Sequence, residues 1–328
     1  MEPLPPPSTN RASAGRGSSD DVSTLRQFNR YFTRRIGALD DHYLGQDRPL
    51  GEARLLFEIS EISEAGDGGA SLRELRTRLT LDAGYLSRLV RALGRQGLVR
   101  LRVHPGDSRS RIVELTPAGE AELTEQNRRA DALAAGLLAG LDDTRRGELT
   151  AALGTARRLL RLAAITVETV DGASPDARAC LTAYAADIDE RFPEGFDPAA
   201  LVRPHEVSGD AGAFLVAYEE GRAVGCGALR RLEPGVGEIR HVWVHPGSRR
   251  LGLARRILEG LEQQAVVRDL TVVRLDTHAV LTEARAMYRA CGYGEIPRYD
   301  ENPYAGHWFE KRLSPAAPDA RGPRPAEA

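Results

Sequence analysis

The sequence is poor in cysteine. Cys180, Cys226 and Cys291 are the only three, and their spacing fits neither a disulfide framework nor a zinc site. A reducing cytoplasm is the expected compartment. No run of ~18 apolar residues occurs, so neither a membrane-spanning helix nor a membrane partner is expected. The first twenty residues, MEPLPPPSTNRASAGRGSSD, lack the apolar stretch of a secretory signal. Lysine is almost missing too, Lys311 being the only one. Arginine therefore carries nearly all the positive charge, a bias that fits a GC-rich genome better than a function.

What is present falls into two halves of opposite charge. Residues 1–164 hold 25 arginines against 22 acids, and residues 165–328 hold 20 basic residues against 25 acids. The contrast peaks at 71–111, where ten arginines meet only Glu74, Asp82 and Asp107. A local excess of that size suits a polyanionic partner. Pro-, Ser- and Gly-rich ends at 1–20 and 314–328 are expected to be disordered tails. Between them the pattern predicts a mainly helical domain over 21–164 and a mixed α/β domain over 165–313. At 328 residues the chain is long enough for both.

In the first half, apolar residues at helical spacing predict helices over 21–44, 51–64, 82–96, 118–139 and 142–163. Ser71 and Glu74 form a capping-box pattern that starts another helix. LVRLRV at 98–103 and RIVEL at 111–115 alternate as strands around HPGDSRS, which makes a hairpin with a basic tip. The helix at 82–96 keeps Leu86, Leu89, Val90 and Leu93 on one face and offers Tyr85, Ser87, Arg88, Arg91 and Arg95 on the other. That is what a helix entering the major groove needs. Arg109 and Arg111 at the hairpin tip could reach an adjacent minor groove or backbone.

The strings EARLLFEI, SLRELRTRLTLDAGYLSRLVRALGRQGLVR and DSRSRIVELTPAG resemble the MarR family of winged helix-turn-helix regulators over roughly 22–163. The resemblance implies a homodimer whose first and last helices interlock, double-stranded DNA as partner, and Asp107 orienting the wing arginines. Two alternatives stay open. The arginines could form a plain solvated face, or the winged unit could serve only for dimerisation.

In the second half, strands are expected at ITVETV, 214–219, 223–232, 237–244, TVVRLD, about 293–296 and about 307–312. Helices are expected after Ser174-Pro175, over 251–267 and over 282–291. The most specific string is EIRHVWVHPGSRRLGLARRIL, residues 238–258. A strand runs through a turn into an amphipathic helix. A pyrophosphate needs this layout, with several amides and a helix N-terminus aimed at it. Gly252 and Ala254 let the backbone come close, and Arg249 and Arg250 can meet or close over the phosphates. The amides of about 250–255, including Leu251, Leu253 and Arg255, are expected to converge there.

This string resembles motif A of the GNAT superfamily of N-acetyltransferases, with Arg249, Gly252 and Ala254 in its three fixed positions. The resemblance implies a central mixed sheet, acetyl-CoA as co-substrate, no metal, and pantetheine pairing to the strand Val242-Trp243-Val244 through the backbone of Val242 and Val244. It also implies that Tyr288, before Gly292-Tyr293, is the general acid for the coenzyme sulfur. Glu238 shares the strand face of Val242 and Val244 by period two and is a candidate general base. Tyr288 could instead be a core aromatic, and Glu238 an ion-pair partner of Arg240. His241 and His245, on the opposite face, are read as packing or surface residues.

Where many relatives place an asparagine, this chain has Leu281, so a sensor of acyl-CoA without turnover is the alternative to an acetyltransferase. The acceptor, a small-molecule or protein amine, is not disclosed. Tyr299, Asp300, Glu301 and Tyr304 could receive a cationic one, or form a surface loop.

Overall fold

The structure, a computed structural model, describes residues 19–40, 42–64, 69–104 and 107–313, without the side chains of 19, 104 and 107–110. The tails expected at 1–20 and 314–328 lie outside the described residues, except that residues 19 and 20 already belong to the first helix. The chain divides into two compact units, Met1–Gly147 and Glu148–Ala328.

The first unit holds α1 (Ser19–Arg35), α2 (Leu50–Glu64), β1 (Ala70–Ser71), α3 (Leu72–Leu79), α4 (Ala83–Arg95), β2 (Val99–His104), β3 (Asp107–Leu115) and α5 (Pro117–Leu138). The next helix, α6 (Asp143–Ala164), starts in this unit. Local chemistry sets the starts. Ser71 Oγ accepts from the Glu74 amide while the Glu74 carboxylate accepts from the Ser71 amide. Asp82 Oδ1 caps α4 through the Tyr85 amide at 2.9 Å. Caps of this kind contribute about 1 kcal/mol each. The core comes from α2 (Leu55, Leu56, Ile59), α3 (Leu75), α4 (Leu86, Leu89, Val90, Leu93) and β3 (Val113). β1, β3 and β2 form a small antiparallel sheet in that order.

The first helix ends earlier than its apolar stripe suggested. Gly37 takes φ +65°, and its amide bonds back to Arg34, so the helix closes there and Ile36, Leu39 and Tyr43 leave it.

The second unit holds β4 (Thr166–Val170), α7 (Pro175–Arg191), β5 (Gly212–Glu219), β6 (Arg222–Glu233), β7 (Val236–Val244), α8 (Leu253–Val267), β8 (Val272–Thr277), α9 (Thr282–Ala290), β9 (Gly294–Ile296) and β10 (His307–Arg312). They make one mixed sheet in the order β4-β5-β6-β7-β8-β10-β9. Every pairing is antiparallel except β7 with β8. Ile257, Leu258 and Leu261 of α8 are fully buried in the main core with Leu229, Ile239 and Phe309. The helix lies close because Gly227 has no side chain: a Cβ there would meet Ile257 and Leu261 at 2.8 Å.

The division between units falls inside α6 rather than at its end near 164. The cause is local bonding. Arg256 of α8 donates to the carbonyls of Leu162 and Ile165 at 2.8 and 2.7 Å. Arg161 grips Glu219 of β5 through two bonds of 2.6 and 2.7 Å.

Two features of β7 shape the site. It pairs with β8 only through Val236–Glu238 against Val272–Arg274 and parts from it beyond. Its alternation also breaks. Ala228 pairs with Arg240 and Cys226 with Trp243, so two residues of β7 oppose one of β6, and His241 sits at φ +53°. A β-bulge with a non-glycine residue in the left-handed region is a strained arrangement that concentrates at functional sites.

Candidate functional site

The parting of β7 from β8 opens a pocket of about 570 Å³. One end is the loop before α8. Gly252 adopts φ +91°, a conformation that glycine takes without strain. It gives α8 no side-chain cap, so the first amides of α8 are left for an external acceptor. Val242, Trp243, Val244, Arg249, Arg250, Gly252, Leu253, Ala254 and Arg255 all line this pocket, as does Tyr288 from α9. Leu251 does not; it is buried in the core beneath the loop. β7 is hydrogen-bonded to β6 along one edge, and beyond Glu238 its other edge faces the pocket.

The arginines are less free than the sequence suggested. Arg249 donates to Asp187 of α7 at 2.6 Å and to the Val244 carbonyl at 3.1 Å, so it closes the strand end instead of standing open. Arg255 pairs with Glu259 one turn on. Arg250 is exposed at φ +61°. A pyrophosphate placed here would meet amides and the exposed Arg250, a donor set of the right kind for that group.

Tyr288 is 6% exposed and packs its ring at 5.9 Å from those of Tyr293 and Phe309. Burial raises its pKa, followed by the charge of Asp276, so the phenol keeps its proton near neutrality. It is both a core aromatic and a pocket residue, so the two readings of this tyrosine do not compete.

Glu238 needs a correction. It is completely buried and is absent from the pocket lining. Its carboxylate accepts from Arg230 Nε at 2.6 Å and from the Tyr299 hydroxyl at 3.1 Å, with Arg240 at 3.8 Å. The bulge at His241 is the reason. Period two does not carry across it, so sharing a face with Val242 and Val244 was a false inference. The same bulge brings His241 to the pocket.

Two functional candidates were missed. Asp276, at the end of β8, lines the pocket and accepts from Asn302 Nδ2 at 3.0 Å on both oxygens. Burial, outweighing Asn302, lifts its pKa to about 7, and the neighbouring carboxyl of Asp300 adds to the rise. His241 is buried. Its Nε2 accepts from the Val202 amide at 3.1 Å, so the proton sits on Nδ1. Burial, then Arg240 and Arg230, push its pKa down to about 3. No sequence signal marked Asp276, which stands on a strand and becomes a pocket residue only because β7 splays away.

The stretch expected to receive a cation splits up. Tyr304 lines the pocket, Tyr299 bonds Glu238, Asp300 accepts from Trp308 at 2.8 Å, and Glu301 is exposed against Arg298. Leu281 lines the pocket and starts α9 without a side-chain cap.

In the first unit, Tyr85, Ser87, Arg88, Arg91, Arg95 and Arg111 are all exposed. Arg88 stands over the Tyr85 ring at 5.5 Å, and Arg91 Nε bonds the Ser87 carbonyl at 3.0 Å. The side chains of Asp107 and Arg109 lie outside the described residues, as do Pro105 and Gly106 of the turn. Glu114 of β3 orients Arg100 and Arg102 at 2.8 Å each, a role the sequence did not mark.

Residues 179–293 match the sequence model of the acetyltransferase (GNAT) family, and the second unit accordingly carries a GNAT acetyltransferase domain. A curated relative, an IAA acetyltransferase of Azospirillum brasilense, is 36% identical over 83 residues, 25% of this chain. The chain spans about half of that relative's length, 54%. Among solved structures, a putative acyl-CoA N-acyltransferase from Klebsiella pneumoniae is 27% identical and aligns 98% of itself to 46% of this chain, at a TM-score of 0.38. A MarR-family transcriptional regulator from Rhodococcus sp. RHA1 is 21% identical and aligns 96% of itself to 43% of this chain, at a TM-score of 0.34.

Proposed function

We propose that this chain is a DNA-binding transcriptional regulator that also transfers the acetyl group of acetyl-CoA to an amine. The observation that carries the catalytic half is the convergence of the uncapped α8, the open edge of β7 and the protonated Tyr288 on one pocket. Gly252 and the amides after it take the pyrophosphate. Val242 and Val244 pair the pantetheine arm, which holds the thioester against the acceptor. Acetyl-CoA supplies the activated acyl group; the protein orients it and manages protons. Tyr288 holds a proton for the departing sulfur. Calorimetry with coenzyme A and a thiol-release assay with acetyl-CoA and an amine panel test this on the full chain. Saturable uptake with amine-dependent thiol release is expected; no uptake overturns it.

The regulatory half rests on the exposed arginines of α4 and Arg111. Exposed apolar side chains on α1 support a homodimer: Leu25, Phe28 and Phe32 are 55%, 47% and 38% exposed, and the rings of Phe28 and Phe32 stack at 5.5 Å. Double-stranded DNA is the partner, and the cytoplasm is the compartment. A gel shift with the DNA upstream of its own reading frame tests binding. The second reading, a sensor that binds acyl-CoA without turnover, is favoured by one observation: Leu281 stands at the pocket where an amide would hold the coenzyme arm. Coenzyme uptake with no thiol release from any amine would support it.

A further inference from the structure

The coenzyme-facing loop accounts for only one end of the pocket. The opposite end is built from α7, the segment that follows it, β7, β8 and the segment after β9, and its chemistry is specific. Four aromatic side chains form one wall. Phe196 and Tyr304 lie 5.1 Å apart, Phe192 and Tyr304 5.9 Å, and Tyr184 meets Phe196 edge-on at 5.7 Å. All four line the pocket, two of them without polar atoms.

Against this wall stands the carboxylate of Asp276, which no ion pair engages among the described residues; Arg240 of β7 also lines the pocket and favours its charged form. Asp276 is held by Asn302 on both oxygens, and burial raises its pKa to about 7, so it can give up and take a proton near neutrality. The other acids at the pocket are already engaged. Asp187 binds Arg249 at 2.6 Å, and Glu283 faces Arg191 at 3.6 Å. A second, independent observation points to an occupant. His241 is 6% exposed, lines the pocket, and its Nδ1, which carries the proton, has no partner among the described residues. A buried N–H left without an acceptor costs about 1–3 kcal/mol unless an oxygen or a ring face takes it.

We propose that the acceptor is a primary aromatic monoamine, whose ring lies on the Tyr184–Phe192–Phe196–Tyr304 wall and whose ammonium is deprotonated by Asp276 acting as general base. The proposal rests on the acetyltransferase reading above. One carboxylate serves one ammonium, which argues against a polyamine, whose further charges would meet apolar rings. The ammonium gives one proton to Asp276, and the freed nitrogen lone pair attacks the thioester carbonyl. The N–C bond forms, the C–S bond breaks, and its electron pair stays on sulfur. Of the two protons the nitrogen sheds, one ends on sulfur by way of Tyr288 and the other leaves for solvent through Asp276.

Asp276 titrates at about 7, which suits a base working near neutrality. The groups that face it come from every neighbouring element. β7 supplies Arg240, which favours its charged form, and Glu238. Asp300 and Asn302 act from the following segment with opposite sign, and Tyr184 and Tyr288 are neutral phenols.

The test uses the full chain with acetyl-CoA and three amines: 2-phenylethylamine, butylamine and spermidine. The kcat/KM for 2-phenylethylamine should exceed the other two by at least about tenfold. Asp276→Asn should lower it by roughly 10²–10⁴ and remove the fall in rate below about pH 7, with coenzyme A affinity unchanged. Phe196→Ala should raise KM for 2-phenylethylamine more than it lowers kcat. Equal or better use of spermidine, or an Asp276→Asn variant that keeps the acid limb of the profile, overturns the proposal. So does coenzyme A uptake with no turnover of 2-phenylethylamine. Loss of coenzyme A uptake by the unaltered protein instead sinks the acetyltransferase reading beneath it.

Discussion

The exposed face of α4 and the acceptor end of the pocket are opposite ways of making a site. On α4 every candidate residue stands on one helix of thirteen residues. The helical period alone sends Leu86, Leu89, Val90 and Leu93 inward and Tyr85, Ser87, Arg88 and Arg91 outward. At the acceptor end, Tyr184, His241, Asp276 and Tyr304 come from four separate segments. The first arrangement is exposed and tuned by screened charge. The second is recessed in a pocket, where Asp276 is held by Asn302 and His241 Nδ1 is left without a hydrogen-bond partner among the described residues. Substitutions on α4 should therefore act in small, salt-dependent steps, and those in the pocket in large, local ones.

The largest effect should come from Tyr288→Phe. Removing the phenol should cut kcat by roughly 10²–10⁴ while leaving coenzyme A affinity unchanged, as single-turnover kinetics and calorimetry can read. Next is Glu238→Ala, which leaves Arg230 with one carboxylate partner in place of two. Breaking a buried ion pair costs about 3–5 kcal/mol, which a urea midpoint will report. Glu238→Gln should keep the acid limb of the rate profile, and its loss would return Glu238 to the role of base. On α4 and the wing, Arg88→Ala with Arg109→Ala should cost about 1–3 kcal/mol per base contact and flatten the salt slope by about one for each phosphate contact. Unchanged affinity and slope would break the comparison from the DNA side. The smallest effect is Gly252→Ala. Forcing a side chain onto φ +91° costs about 1–2 kcal/mol, seen as weaker coenzyme A uptake with kcat nearly intact.

Legibility in the sequence followed the range of the interactions. The capping box at Ser71 and Glu74, the Ser174-Pro175 start of α7 and the strand–turn–helix around Gly252 all depend on residues within a few positions, and all were readable. The early stop of α1 was equally local, but the apolar stripe ran on past Gly37 and masked it. Glu238 failed for a different reason. Alternation along β7 is a sound rule only while the strand stays regular, and the bulge at His241 is defined by pairing with β6. Arg249 was read as a residue that meets or closes over phosphates, and its bond to Asp187 was not legible because Asp187 lies on a helix remote in sequence.

By itself the sequence determined the two halves, their charge contrast, the exposed arginine face of α4 and the strand–turn–helix around Gly252, because each is written in neighbouring residues. Only the tertiary structure decided which carboxylate meets the pocket. Splaying of β7 from β8 opens the pocket beside Asp276, the bulge buries Glu238 against Arg230, and α7, the segment after it and the segment after β9 assemble the aromatic wall. Burial and partner choice arise between segments far apart in the chain, and they raise the pKa of one acid to about 7 and lock another into an ion pair.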